Sequence, residues 1–235
     1  MANSPNRSCL AFLGALLAAA AVAVVIVLLT GGDEETQPGD SASATADGEC
    51  AEVEAPAPKD VSFEAAEDVL ERGQQATAIV ETSCGSFEIA LDTQENPRTA
   101  NSFAFLAGEG FYDGTVFHRI APGFVIQGGD PQGSDPQLAG SGGPGYSVRE
   151  IPPQDTSYTR GLVAMAKSQV EPPGTSGSQF FVVTAPADAG LQPDYAVLGE
   201  VTDGIDVVER IGELGDAAEQ PTQTVTIDSV TIETG

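Results

Sequence analysis

The sequence predicts a mainly β domain of about eight short strands and two helices, preceded by a membrane segment and an acidic linker. Three observations carry this. Short runs rich in Val, Ile, Phe and Thr recur between Gly- and Pro-containing turns from Ala76 onward. Two stretches with helical apolar spacing stand far apart in the chain. Leu10 to Thr30 holds no charged residue, and its 21 residues at 1.5 Å rise span about 31 Å, near the hydrocarbon thickness of a bilayer.

The amino-terminal third is read from charge and composition. A retained anchor over 10–30 is favoured over a cleaved secretory signal, whose apolar region is usually about 7–15 residues. Arg7 on one flank and Asp33, Glu34 and Glu35 on the other put residues 1–9 in the cytoplasm and the rest outside. The expected location is therefore the cell membrane, single-pass, with an extracytoplasmic domain; secretion after cleavage is the alternative. Residues 31–75 are rich in Gly, Ser, Ala, Pro and acid and read as an extended linker. Within them, Val61 to Arg72 can form a short amphipathic turn or helix with Phe63, Ala66 and Leu70 on one side.

The domain, expected over 76–235, opens with alternation: Ala78, Val80 and Thr82 face one way, and Phe87, Ile89 and Leu91 resume after Cys84-Gly85. Asn96-Pro97 reads as a helix cap followed by proline at the first helical position. Apolar residues at 100, 103, 104 and 107 hold one face, and Gly108 and Gly110 end it. Thr115 to Ile120 and Phe124 to Gln127 flank Pro122-Gly123 as a hairpin. Gly128 to Gly145 is a glycine-rich loop without a Gly-Lys-Ser/Thr or GxGxxG signature, so it reads as a rim allowing close backbone approach rather than a phosphate cradle. Gly161 to Ala166, Ser178 to Thr184 and Tyr195 to Val201 are strands; Asp203 caps a helix carrying Ile205, Val208 and Ile211; Val225 to Ile232 closes the chain.

A net charge of −26 with nine Lys+Arg residues excludes a surface that tracks phosphates, so nucleic acid is not an expected partner. One histidine and three cysteines are too sparse for a zinc site. Cys50 and Cys84 are expected to pair if the compartment oxidises, with two separate buried thiols as the alternative. The hairpin concentrates the chemistry. It holds the lone His118 and can gather Arg119, Phe124 and Gln127, a cation, an aromatic and an amide, around one surface.

Four motifs then fall in order: Phe117-His-Arg-x-x-Pro-Gly-Phe-Val-x-Gln-Gly-Gly-Asp130, Gly161-Leu-Val-Ala-Met-Ala166, Gly177-Ser-Gln-Phe-Phe181 and Leu198-Gly-Glu-Val201. Together they resemble cyclophilin-type peptidyl-prolyl cis-trans isomerases over about 76–235. The resemblance implies a closed eight-stranded antiparallel barrel capped by two helices. It makes Arg119 the catalytic arginine and Gln127 the glutamine that orients it. Phe124, Val125, Phe181 and Leu191 are implied as the wall of a proline pocket, with His118, Gln179 and Tyr195 in the groove. The backbone at Ala166-Lys167 is where a substrate main chain would dock. Departures from the family pattern are Gly190 at a frequent tryptophan, Tyr195 at a common histidine, Leu198 at an aromatic, Lys167 at a common asparagine and Val125 at the usual methionine. The missing indole implies weakened cyclosporin binding.

The chemistry follows from the amide itself. Rotation of an X–Pro bond crosses a barrier of about 18–20 kcal/mol because the nitrogen lone pair is shared with the carbonyl. At the twisted state that pair is localised on nitrogen, so a cationic donor aimed there stabilises the twisted state above either planar isomer. Arginine cannot lose its proton, which suits it to the task. No cofactor, metal or proton transfer is required. The expected partners are proline-containing polypeptides, and a monomer is expected. A binding or chaperone module without useful turnover is the alternative reading.

Overall fold

The computed structural model describes residues 48–235. The expected cytoplasmic tail, the apolar segment 10–30 and the start of the linker lie outside the described residues. No helix among the described residues is long and apolar enough to cross a membrane.

The alternating run at 76–91 forms β1 (Ala76–Thr82) and β2 (Gly85–Leu91), an antiparallel hairpin pairing Val80 with Phe87. Helix α1 follows (Pro97–Gly108). Then come β3 (Thr115–Val116), β4 (Arg119–Ala121), β5 (Val125–Gly128) and β6 (Val148–Arg149). The second half holds β7 (Leu162–Met165), β8 (Thr175–Ser176), β9 (Phe180–Val183), β10 (Val197–Asp203), α2 (Ile205–Gly212) and β11 (Thr226–Thr234). Nine strands make one antiparallel sheet in the order β3-β11-β1-β2-β10-β7-β9-β5-β4, and β6 and β8 make a small second sheet. The architecture is a mainly β, curled sheet with two helices.

The large sheet holds nine strands rather than the expected eight because the run Thr115 to Ile120 divides, and β6 and β8 are two further short strands. Val116 pairs with Thr226 of β11, whereas Arg119 pairs with Gln127 of β5. Phe117 and His118 carry the chain between the two partners. Simple alternation therefore fails there: Phe117 and Ile120, three apart, both enter the main core. An isolated bridge between Val116 and Asp130 links the two flanks.

The main core packs the inner sheet face against α1 and α2, with Phe87, Ile89, Phe103, Leu106, Phe180 and Ile211 fully buried. Asn96 is the N-cap residue of α1 and Pro97 opens the helix, as expected, but the Asn96 side chain makes no capping bond and its amide is held by Asp92 at 2.7 Å. The Glu150 carboxylate instead accepts from the Arg98 and Thr99 amides at 3.1 and 2.7 Å, a charge placed where the helix dipole favours it. Gly204, not Asp203, is the N-cap residue of α2, at φ +73, and Asp203 ends β10.

The linker expectation needs correcting over 48–75, which lies along the domain as a strap. Cys50 is bonded to Cys84, closing a separation of 34 residues. The Lys59 ammonium donates to the carbonyls of Gly110, Phe111 and Asp113 at 3.1, 2.8 and 2.7 Å. Phe63 stands edge-on to Phe105, ring centroids 5.3 Å apart. Ala66 and Leu70 pack on the core as the apolar spacing suggested, yet no helix forms. Asn101 takes the place of helical hydrogen bonds, accepting from the Val69 and Leu70 amides and donating to Glu67 O. A few specific anchors outweigh the polar composition.

Candidate active site

The outer face of the β7-β9-β5-β4 half of the sheet carries a second, smaller apolar cluster. Period-two alternation builds it. Along β9, Phe180 enters the main core and Phe181 the second cluster; along β5, Ile126 enters the first and Val125 the second. Ala164 on β7 and Ala121 on β4 follow the same rule. Register then sets a row across four strands. Arg119 lies opposite Gln127, Gln127 opposite Phe181, and Phe181 opposite Ala164. A cation, an amide and an aromatic ring thus stand side by side on one face.

Polar contacts lock the row. Arg119 Nη1 donates to Gln127 Oε1 at 3.3 Å, and Gln127 Nε2 donates to Gln179 Oε1 at 3.0 Å. Gln179 Nε2 in turn donates to Gly142 O at 2.8 Å and reaches Asp130 Oδ2 at 3.3 Å. The buried Asp130 carboxylate also accepts from the amides of Gln132, Gly140 and Gly142, which folds the glycine loop back on itself. On the other side Arg119 Nε donates to Glu219 Oε2 at 2.7 Å. The two side chains are 33% and 47% exposed, so this pair contributes at most about 1 kcal/mol to stability. The Arg119 guanidinium carbon sits 6.0 Å from the Phe124 ring centroid.

Beside the cation lies the apolar pocket. Val125 and Phe181 form its floor, and Phe124, Leu191 and Tyr195 pack on it half-buried. Tyr195 stands edge-on to Phe181 at 5.4 Å, and Lys167 Nζ lies 5.6 Å over the Tyr195 ring. Beyond Gln127 and Gln179 the surface opens into a concavity of about 670 Å³ lined by the glycine loop, Ala166 and Lys167. Ala166 N donates to Gln179 O at 2.8 Å. Gly190 has φ +69 and open space where a Cβ would lie, so a side chain there would meet backbone strain rather than crowding. Leu198 is buried in the main core, away from this face.

His118 occupies different surroundings from the other groove candidates. It is 8% exposed and lines a separate concavity with Ser134, Pro136, Gln220 and Gln223. Burial holds its imidazole below the usual histidine range, outweighing the opposing pull of Asp130 and the Val116 backbone, while Arg119 adds to the lowering.

Three long-range supports escaped the sequence, two of them at the site. Tyr158, fully buried, donates its hydroxyl to Tyr195 O at 2.7 Å and accepts from Tyr195 N at 3.1 Å, fixing the pocket's far wall. Burial pushes its phenol up to about 12. Glu219 lies 100 residues from the arginine it holds, and no local pattern marks it. Glu150 was equally invisible as a distant cap. Asp130, by contrast, stood inside the longest motif.

The match to a family model decides the assignment: residues 77–232 fit the model described as cyclophilin type peptidyl-prolyl cis-trans isomerase/CLD. The chain belongs to this family. Peptidyl-prolyl cis-trans isomerase B of Streptomyces anulatus is 37% identical over 181 residues, covering 68% of this chain and 98% of that protein. Peptidyl-prolyl cis-trans isomerase-like 1 of Rhizopus delemar is 41% identical over 143 residues, covering 59% and 81%. Among solved structures, a Cryptosporidium parvum cyclophilin-type isomerase determined in the presence of the dipeptide Ala-Pro superposes with a TM-score of 0.60 at 27% identity. It covers 68% of this chain and 99% of that one. The protein is a cyclophilin-type peptidyl-prolyl cis-trans isomerase; the activity expected from the motifs stands, and of the expected fold the mainly β, curled antiparallel sheet with two helices stands.

Proposed function

We propose that this isomerase acts on extracytoplasmic proline-containing polypeptides, with Arg119 stabilising the twisted X–Pro amide. The observation that carries the mechanism is the four-strand row, in which a guanidinium fixed by Gln127 stands next to the Phe181 ring. The proline ring would sit among Phe124, Val125, Phe181 and Leu191 while the carbonyl side turns. The substrate main chain would pair near Ala166-Lys167, and the Ala-Pro dipeptide of the Cryptosporidium parvum neighbour supports that class of ligand. The Val116–Asp130 bridge supports closure of the sheet into the family's eight-stranded barrel. The apolar run at 10–30 and the Cys50–Cys84 disulfide support a single-pass anchor with the domain outside. A monomer and weakened cyclosporin binding, the latter from Gly190, complete the reading.

In a protease-coupled assay of the full chain on a proline peptide, Arg119→Ala should lower kcat/KM at least about tenfold with the circular dichroism spectrum retained. Parental activity in that variant defeats the arginine mechanism. A proline peptide that binds without exchange cross-peaks between its isomers would favour a non-catalytic binding or chaperone role.

A further inference from the structure

The segment after α2 folds into a clasp. Asp216 Oδ1 accepts from the amides of Ala218 and Gln220 at 2.8 and 2.9 Å, Asp216 N donates to Gln220 O, and Thr222 N donates to Leu214 O. Inside it Glu219 takes φ +62. It is the one non-glycine residue among the described residues at positive φ, a conformation in which glycine is the default. Strain of this kind persists where the surroundings over-determine it, and it gathers at functional positions.

What Glu219 gains there is a double hold on β4. Its backbone carbonyl accepts from Ile120 N at 3.1 Å, one residue beyond the arginine. Its carboxylate reaches back to Arg119 Nε at 2.7 Å. The guanidinium is planar, and Gln127 holds it at Nη1. Two fixed points in one plane define its tilt and its rotation, and a part-exposed arginine held at one point would swing freely about it. The pair adds little to stability, so the strain is not explained by stability.

We propose that Glu219 is a positioning residue for Arg119, orienting the guanidinium toward the prolyl nitrogen of the substrate. This rests on the reading of Arg119 as the catalytic cation. Positioning acts on the twisted state more than on ground-state binding, so its loss falls on kcat.

The test compares full-chain Glu219→Ala, Glu219→Gly, Glu219→Gln, Arg119→Ala and the double variant Glu219→Ala/Arg119→Ala. Kinetics on a proline peptide are read together with thermal melts. Glu219→Ala and Glu219→Gly should lower kcat about tenfold with KM within about twofold of the parent. Glu219→Gln keeps an acceptor oxygen and should stay within about threefold. Glu219→Gly relieves the backbone, so its melting temperature should hold or rise by up to about 3 °C while its activity falls. A purely structural role cannot produce that split. The double variant should be no slower than Arg119→Ala alone. Parental or higher kcat in Glu219→Ala and Glu219→Gly, or a loss confined to KM, overturns the inference, provided Arg119→Ala is inactive. Activity retained in Arg119→Ala instead overturns the arginine mechanism beneath it.

Discussion

His118 and Arg119 are neighbours in sequence with opposite fates. Arg119 keeps a third of its side chain in solvent and is held by Gln127 and Glu219, whereas His118 is buried beside a separate concavity. Protonating His118 would place a charge away from water, a cost that outweighs the pull of Asp130 and to which neighbouring Arg119 adds, so its folded-state pKa is lowered. The unfolded chain, with an ordinary histidine near 6.5, then takes up that proton first as pH falls. Stability is therefore fully present above about pH 6.5 and is lost as pH drops below it, until the lowered folded pKa is passed. Since His118 is the only histidine, thermal melts between pH 5.5 and 7.5 isolate it. The parent should melt lower at the acid end, and His118→Gln should flatten that slope. Equal slopes would remove the charge argument. Isomerase activity per folded molecule should follow neither trend, because no proton moves in the reaction.

At the scale of elements, β1 and β2 were legible because every second side chain is buried there, whereas β5, β7 and β9, apolar on both faces, were legible as short β-favouring runs between turns. The first hairpin strand was not. A change of pairing partner between Val116 and Arg119 leaves the composition β-favouring and alters only which sheet edge is met. The motif positions Arg119, Gln127 and Phe181 were readable, and register brought them together. Long-range supports were not, because Tyr158, Glu150 and Glu219 act across 37, 52 and 100 residues respectively. Tyr158 shows what such a support is worth. Its hydroxyl satisfies both backbone groups of Tyr195, and at a pKa of about 12 it remains a donor throughout the working range. Tyr158→Phe leaves those groups unpaired and should cost about 1–3 kcal/mol in urea unfolding. Because Tyr195 walls the pocket, KM should rise several-fold with kcat nearly kept. A loss in kcat alone would contradict this assignment.

Across the whole molecule, the strap ties the disulfide to the groove. Its residues pin both ends of the glycine loop: Lys59 N donates to Pro131 O and Phe63 N to Pro144 O, each at 2.7 Å. Gly145, at φ +89, lets the strap pass so closely that a Cβ would fall on Ser62 and Phe63. The linker reading failed because these contacts use backbone groups and isolated side chains, which leave no periodic trace. Closing 34 residues by Cys50–Cys84 limits the unfolded chain by about 3–4 kcal/mol on the loop-entropy model. With a urea slope of about 2 kcal/mol/M, Cys50→Ser should lower the midpoint by about 1.5–2 M. The strap's own contacts remain in that variant, so the folded state should still isomerise. Its rim loop, however, is now held by contacts that can open locally without unfolding the sheet. KM should therefore rise, while kcat, which the proposed mechanism assigns to the β4-β5-β9 row, stays near the parental value. A fall in kcat with KM unchanged would mean that the strap bears on the catalytic row itself rather than on the loop it clasps.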